Sequence, residues 1–215
     1  MDASRGATKP ALYAKMGRLI GFAGRKGSGK DTCAAVLVDY SGFERFAFAD
    51  CMKCICKGLF DLTDEQLHGH SKDEPDDRYG HSPRQLLQMF GADFIRDMVS
   101  KDFWVEKFRK FMSERLDDDP PIVVSDVRFQ NEVDVIRELG GKVYLINRRA
   151  AGAADLHQSE DVESLQNIAG SINNSWTLGD LQEAAYDLGA SFSRRSLSFI
   201  STTSPGSQPT LEEDS

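Results

Sequence analysis

Short apolar runs and amphipathic stripes alternate along the chain. Arg18 to Ala23 (RLIGFA) is an apolar run that stops at a glycine-rich turn, as a buried parallel strand would. Lys30 to Tyr40 then carries Cys33, Val36 and Leu37 at helical spacing, so the first unit reads strand, glycine loop, helix. Phe43 to Ala49 predicts a second strand and Asp50 to Phe60 a helix. Residues 61–81 are polar and irregular and read as a mobile insertion outside the core. Ser82-Pro83-Arg84-Gln85 is a helix start, with serine at the N-cap, proline at the first helical position and Gln85 completing a capping box. The stripe Leu86, Leu87, Phe90, Phe94, Ile95 and Met98 follows. A further helix spans about Phe103 to Leu116, burying Val105, Phe108, Met112 and Leu116.

Ile122 to Asp126 is a buried strand ending in a carboxylate, and Asn131 to Leu139 a helix closed by Gly140 and Gly141. Val143 to Asn147 and Ser171 to Asn173 supply two more strands, the last followed by a helix capped at Thr177 and ended at Gly189. The fold class is α/β: a parallel sheet of about five strands flanked by helices. Ligands of such a sheet sit beyond the carboxyl ends of its strands. The glycine loop, Asp126 to Arg128, and Arg148 all fall there.

Gly24-Arg25-Lys26-Gly27-Ser28-Gly29-Lys30 matches the phosphate-binding pattern GxxxxGK in its required strand-to-helix context. Gly24, Gly27, Ser28 and Gly29 let backbone N–H groups curl around phosphates at the positive end of a helix, and Lys30 reaches the β- and γ-phosphates. The next position, normally a magnesium-binding Ser or Thr, is Asp31, with Thr32 after it; either can hold the metal, and the sequence does not decide between them. Asp126 reads as a strand-end carboxylate for magnesium, its water or a substrate group, or else as a cap on the following turn. Val127 follows it where water-activating ATPases commonly place glutamate, which favours transfer to a bound acceptor. Lys53, Arg84, Arg96, Arg128 and Arg148 stand at segment ends as cations for the transferring group and the acceptor phosphate.

Composition narrows the partners. The 215 residues carry a net charge of −8 and a pI near 5.1, a poor match to a polymer of phosphates. No apolar run approaches the roughly 18 residues of a membrane span, and the first sixteen residues lack the apolar stretch of a secretion signal. The expectation is a cytoplasmic protein without nucleic-acid or membrane partners. Cys51, Cys54 and Cys56 crowd one helix without a second ligand pair at zinc spacing, so they read, with Cys33, as reduced thiols.

The ordered series of motifs resembles the deoxynucleoside monophosphate kinases of bacteriophages and related genomes. The resemblance runs from about Gly17 to Leu188: the GxxxSGKDT loop at Gly24 to Thr32, Lys53, the PRQ-x-L-Q-x-x-G-x-D helix at Pro83 to Asp93, Trp104-Val105, Ser125 to Glu132, Arg148, and the H-x-S-E step at His157 to Glu160. It implies a P-loop fold like adenylate kinase, with ATP and Mg2+ used to convert a dNMP to the dNDP. It implies that Lys30, Asp31 and Thr32 hold ATP and its metal, with Lys30, Arg128 and Arg148 acting on the transferred group. Lys26, Lys53, Arg84, Trp104, Asp126, Arg128 and Glu132 would bind the monophosphate, Trp104 packing against its base. The implied layout is a kinase domain at 17–190, with a helical substrate-binding region at 50–116 and a lid at 148–165. A lead-in at 1–16 and a tail at 191–215 flank it, both expected to be disordered. A homodimer is one expectation for assembly. Two alternatives remain: a phosphomevalonate-type kinase, which shares the SGKD loop and S-D-x-R strand end but lacks the PRQLLQ helix, and a P-loop switch that binds nucleotide and transfers nothing.

Overall fold

The structure, a computed structural model, describes residues 18–148, 162–175 and 177–200, the last eight by backbone alone. The expected lead-in, most of the expected lid with its His157 to Glu160 step, and the tail beyond Ile200 lie outside the described residues.

Five strands, β1 (Leu19–Ala23), β2 (Glu44–Phe46), β3 (Ile122–Val127), β4 (Lys142–Asn147) and β5 (Gly170–Asn173), form one sheet in the order β2-β3-β1-β4-β5. Every pairing is parallel. Strand periodicity sorts the apolar side chains onto two faces. Leu19 and Ala23 of β1 and Ile122 and Val124 of β3 join a core with Trp104, Phe108, Val133 and Ile136. Ile20 and Phe22 of β1 and Val123 of β3 join the opposite core with Leu37, Leu181 and Ala185. Both faces are covered, so the strands read as continuous apolar runs.

The second face is covered by α1 (Lys30–Ser41) and α7 (Leu178–Ile200). The expected helix end at Gly189 is corrected: α7 runs on to Ile200, so residues 191–200 are helix rather than tail. Gly189 serves packing instead, since a Cβ there would lie 2.3 Å from the Ser41 hydroxyl of α1. Phe192, one turn on, is buried with that core.

The first face carries α2 (Phe48–Leu59), α5 (Phe103–Ser113) and α6 (Gln130–Glu138). Strand β2 is shorter than expected, and α2 starts two residues early at Phe48, because Asp126 on the neighbouring strand β3 supplies a cap. Helix α5 stops at Ser113 and leaves Leu116 exposed, against expectation.

Residues 61–81 fold where an irregular insertion was expected. Thr63 and Gln66 form a capping box for α3 (Asp64–His68), followed by a 3-10 turn at His70–Asp73. Buried Asp76 takes a forked pair of hydrogen bonds from Arg78 (2.9 and 2.7 Å) and a third from Gln66 (2.9 Å). Leu62 and Leu67 pack with Cys56, Leu86 and Leu87 in a third, smaller core. The acidic residues that made the segment look solvated are in part its internal fasteners.

The capping box at Ser82 and Gln85 starts α4 (Pro83–Gln88) as expected. The chain then continues as a π-helix from Met89 to Val99. The wider turn rotates the inward face. Gly91, Ala92, Ile95 and Arg96 are buried, while Phe94 and Met98 of the predicted stripe are exposed.

Candidate active site

Strand β1 delivers the chain into a loop whose backbone few residues besides glycine tolerate. Gly24 has φ 155°, and a Cβ there would lie 2.7 Å from the Ile146 carbonyl of β4. Gly29 has φ 104° immediately before α1, and its peptide is tied in place by Asn174, whose amide donates to the Ser28 carbonyl at 2.8 Å. Lys30 is buried, with its ammonium donating to the carbonyls of Gly24 (2.6 Å) and Arg25 (2.8 Å). The loop therefore closes around its own lysine, at the N-terminus of a helix, in the arrangement that cradles anions.

Beside the loop lies a cleft of about 340 Å³, within the usual range of small-molecule sites, roughly 300–1,000 Å³. It gathers Lys26, Gly27, Lys30 and Asp31 from the loop and α1, Lys53 from α2, and Arg84 from α4. Arg96, Trp104, Asp126, Arg128 and Glu132 complete the expected set there, with Phe48, Met52, Leu87 and Ala92 as apolar wall. Ser28, Gly29, Thr32 and Arg148 line a second hollow of about 300 Å³, which shares Gly27, Lys30 and Asp31 with the first. Arg148 donates to the Gly27 carbonyl at 3.3 Å. Two hollows meeting at one lysine suit a donor and an acceptor.

The carboxylates differ in what they do. Asp126 accepts from the backbone N–H groups of Phe48 and Ala49, each at 2.9 Å, so it caps α2 rather than the turn after its own strand. Burial raises its pKa, opposed by those two N–H groups. Glu132 is buried, accepts from the backbone N–H of Arg128 (2.7 Å) and Phe129 (3.0 Å), and pairs with the guanidinium of Arg96. Burial pushes it up to about 7 against the opposing charge of Arg96. Arg96 also stacks on the Phe129 ring at 3.9 Å. Glu132 and Arg96 thus build the β3–α6 turn that presents Arg128. Trp104 is buried and its indole N–H donates to the Gly91 carbonyl at 3.0 Å. That bond fixes the ring in the cleft wall.

Asp73 joins two cations: its oxygens accept from Lys26 at 2.7 Å and from Arg84 at 2.6 Å. Hydrogen bonds from Lys26 and then Arg84 hold its carboxyl below its ordinary value. Magnesium prefers oxygen ligands, and Asp31, Thr32 and Asp126 supply oxygens around the two hollows. The buried hydroxyls of Ser28 and Ser125 have no hydrogen-bond partner among the described residues. Orphaned hydroxyls at the loop and at the end of β3 fit a site completed by nucleotide and metal.

Lys72 and Ser125 also line the cleft and were missed from the sequence. Lys72 is the only lysine between Lys57 and Lys101, but nothing in an irregular acidic stretch aims it at a phosphate. Ser125 was legible only as the residue before the strand-end carboxylate.

A family model described as deoxynucleotide monophosphate kinase matches residues 74–184. A putative deoxynucleotide monophosphate kinase of Acanthamoeba polyphaga mimivirus is 44% identical over 154 residues, covering 66% of this chain and 80% of that protein. The chain belongs to the deoxynucleotide monophosphate kinase family. As a member of this kinase family it is a phosphotransferase. The deoxynucleoside-5'-monophosphate kinase of Escherichia phage T5 is 32% identical over 78 residues, 36% of this chain and 30% of that enzyme. Among solved structures, a dephospho-CoA kinase from Campylobacter jejuni superposes with a TM-score of 0.50 at 16% identity, covering 83% of this chain and 98% of that one. That likeness is one of fold, and it fits a P-loop kinase. The kinase family match spans Arg84, Trp104, Asp126, Arg128, Glu132 and Arg148; the glycine loop lies ahead of it.

Proposed function

We propose that the chain transfers the γ-phosphoryl group of ATP to the phosphate of a deoxynucleoside monophosphate, giving ADP and the dNDP. The observation that carries this is the convergence of Lys30 with Lys53, Arg84 and Arg128 on one cleft beside a fixed indole. An acceptor-phosphate oxygen forms the new bond to the γ-phosphorus as the bond to the β–γ bridging oxygen breaks and ADP departs. The protein's task is positioning and charge stabilisation. Lys30 with the loop N–H groups holds the donor phosphates. Lys53, Arg84 and Arg128 hold the acceptor phosphate, with Lys26 between the two groups. The Trp104 ring supports the base. Asp126 and Glu132 act through the helix and turn they cap. Asp31 or Thr32, near Asp126, would hold magnesium, whose positive charge would offset the charge developing on the phosphates.

The region 50–116 is assigned to the acceptor. Residues 148–165 are assigned to a lid, supported at its ends by the Arg148 contact to the loop and by an ion pair between Arg25 and Glu163 at 3.0 Å. Arg148 would close over the transferring group and exclude water. No helix among the described residues is long and apolar enough to cross a membrane, and a cytoplasmic place of work suits enzymes of nucleotide supply.

Purified protein with ATP and magnesium should form ADP above an acceptor-free blank with one or more of the four dNMPs. Lys30→Ala and Arg128→Ala should abolish that increment. ADP that ignores the acceptor, or that forms only with phosphomevalonate or AMP, would sink the assignment.

A further inference from the structure

The 3-10 turn at His70–Asp73 places opposite charges side by side. Asp73 ties the turn to both Lys26 of the glycine loop and Arg84 of α4. Lys72 instead lines the cleft, together with Lys53, Arg84 and Arg128. Lys72 makes no ion pair with any described residue. It is partly desolvated there, and burial, followed by repulsion from Lys53, Arg84 and Arg128, pulls it down to about 8 against the attraction of Asp31. A lysine on a solvated surface keeps its head in water and away from like charges. This one is held against three other cations by a turn anchored at its next residue.

Such crowding is unfavourable until an anion enters. Phosphoryl transfer also requires two anions to be pressed together on a chain whose net charge is −8, so local positive charge must come from specific side chains. The glycine loop and Lys30 already serve the donor. Lys53, Lys72 and Arg84 all come from segments between residues 50 and 116, on the acceptor side of the cleft.

We propose that Lys72 is a further ligand of the acceptor's phosphate, its ammonium joining Lys53, Arg84 and Arg128 around the non-bridging oxygens. The inference rests on the acceptor reading of this cleft. Asp73 anchors the turn that carries Lys72 and bridges Lys26 and Arg84 beside it.

The test uses the full chain with Lys72→Met and Lys72→Arg. Hydrogen bonds to charged groups are worth about 1.5–3 kcal/mol, so KM for the dNMP at saturating ATP should rise about 10- to 100-fold in Lys72→Met. KM for ATP should stay within about twofold, and Lys72→Arg should recover most of the loss. Affinity for the matching deoxynucleoside, which lacks the phosphate, should not change. An unchanged acceptor KM, an equal rise for ATP, or an equal loss of deoxynucleoside affinity would each overturn the proposal. If wild type turns over no dNMP, inorganic phosphate becomes the probe. Binding weakened by Lys72→Met would then keep the anion site while removing the substrate reading, and binding indifferent to Lys72, or none, would remove both.

Discussion

Asp126 offers the sharpest separation of two roles that a strand-end carboxylate can play. Both its oxygens are spoken for by the first N–H groups of α2, at Phe48 and Ala49. Asp126→Ala strands both donors at the edge of the core. A lost hydrogen bond to a charged group is worth about 1.5–3 kcal/mol, and losing a helix cap costs about 0.5–2 kcal/mol. Removing a carboxylate whose pKa is raised by burial returns part of that cost. The net expectation is a loss of about 2–3 kcal/mol, or roughly 5–10 °C in Tm for a domain of this size. Asp126→Asn keeps one acceptor and should lose about half as much. Urea unfolding measures the stability of each variant, and initial rates on the same preparations give kcat and both KM values. Because α2 carries Lys53 and Met52 into the cleft, the acceptor KM should rise in step with the stability loss. A variant with wild-type stability and a kcat lowered about a hundredfold or more would refute the capping argument and make Asp126 a metal or substrate ligand.

Glu132 gives a pH signature. Its folded pKa, pushed up from 4.5 to about 7, means that the folded state binds more protons than the unfolded state between those values. Stability therefore falls as pH rises from about 4.5 to 7, by about 3 kcal/mol. Urea midpoints at pH 5 and pH 7.5 should differ less in Glu132→Gln than in wild type; an equal or larger difference would contradict this. Gly24→Ala forces a side chain toward the Ile146 carbonyl at a φ of 155°, so nucleotide affinity should fall at least about tenfold by titration calorimetry. Burial pushes the Cys33 and Cys56 thiols up to about 12 and about 11, whereas Cys51 and Cys54 are exposed. Iodoacetamide at neutral pH should label the latter pair first, read by peptide mass spectrometry.

The parts legible in the sequence were those whose determinants are local. The apolar run before GRKGSGK, the capping box at Ser82 and Gln85, and the carboxylate at the end of β3 each announce themselves within a few residues. Their gathering at one cleft follows from strands that all run the same way. What was lost depends on partners distant in sequence. The early start of α2 is set by a carboxylate 78 residues away from Phe48. The π-helix turned Phe94 and Met98 outward, because a stripe drawn with 3.6 residues per turn assumes an α-helix. Gly189 looked like a helix stop and is a contact between helices. Lys72 was hidden because the segment around it looked polar enough to be solvent-facing, when its acidic residues instead bind Arg78, Lys26 and Arg84. Glu132, matched to the family's substrate residues, lines the cleft, and its bonds to the turn and to Arg96 join segments that the sequence does not link.

The most direct measurement follows the phosphoryl group itself. Protein, magnesium and ATP labelled at the γ-phosphate are mixed with each dNMP, and the products are separated by chromatography. The account predicts label in a dNDP, in amounts equal to the ADP formed, and no such product from Lys30→Ala. Label appearing only as free phosphate, or remaining in ATP with every dNMP, would contradict it.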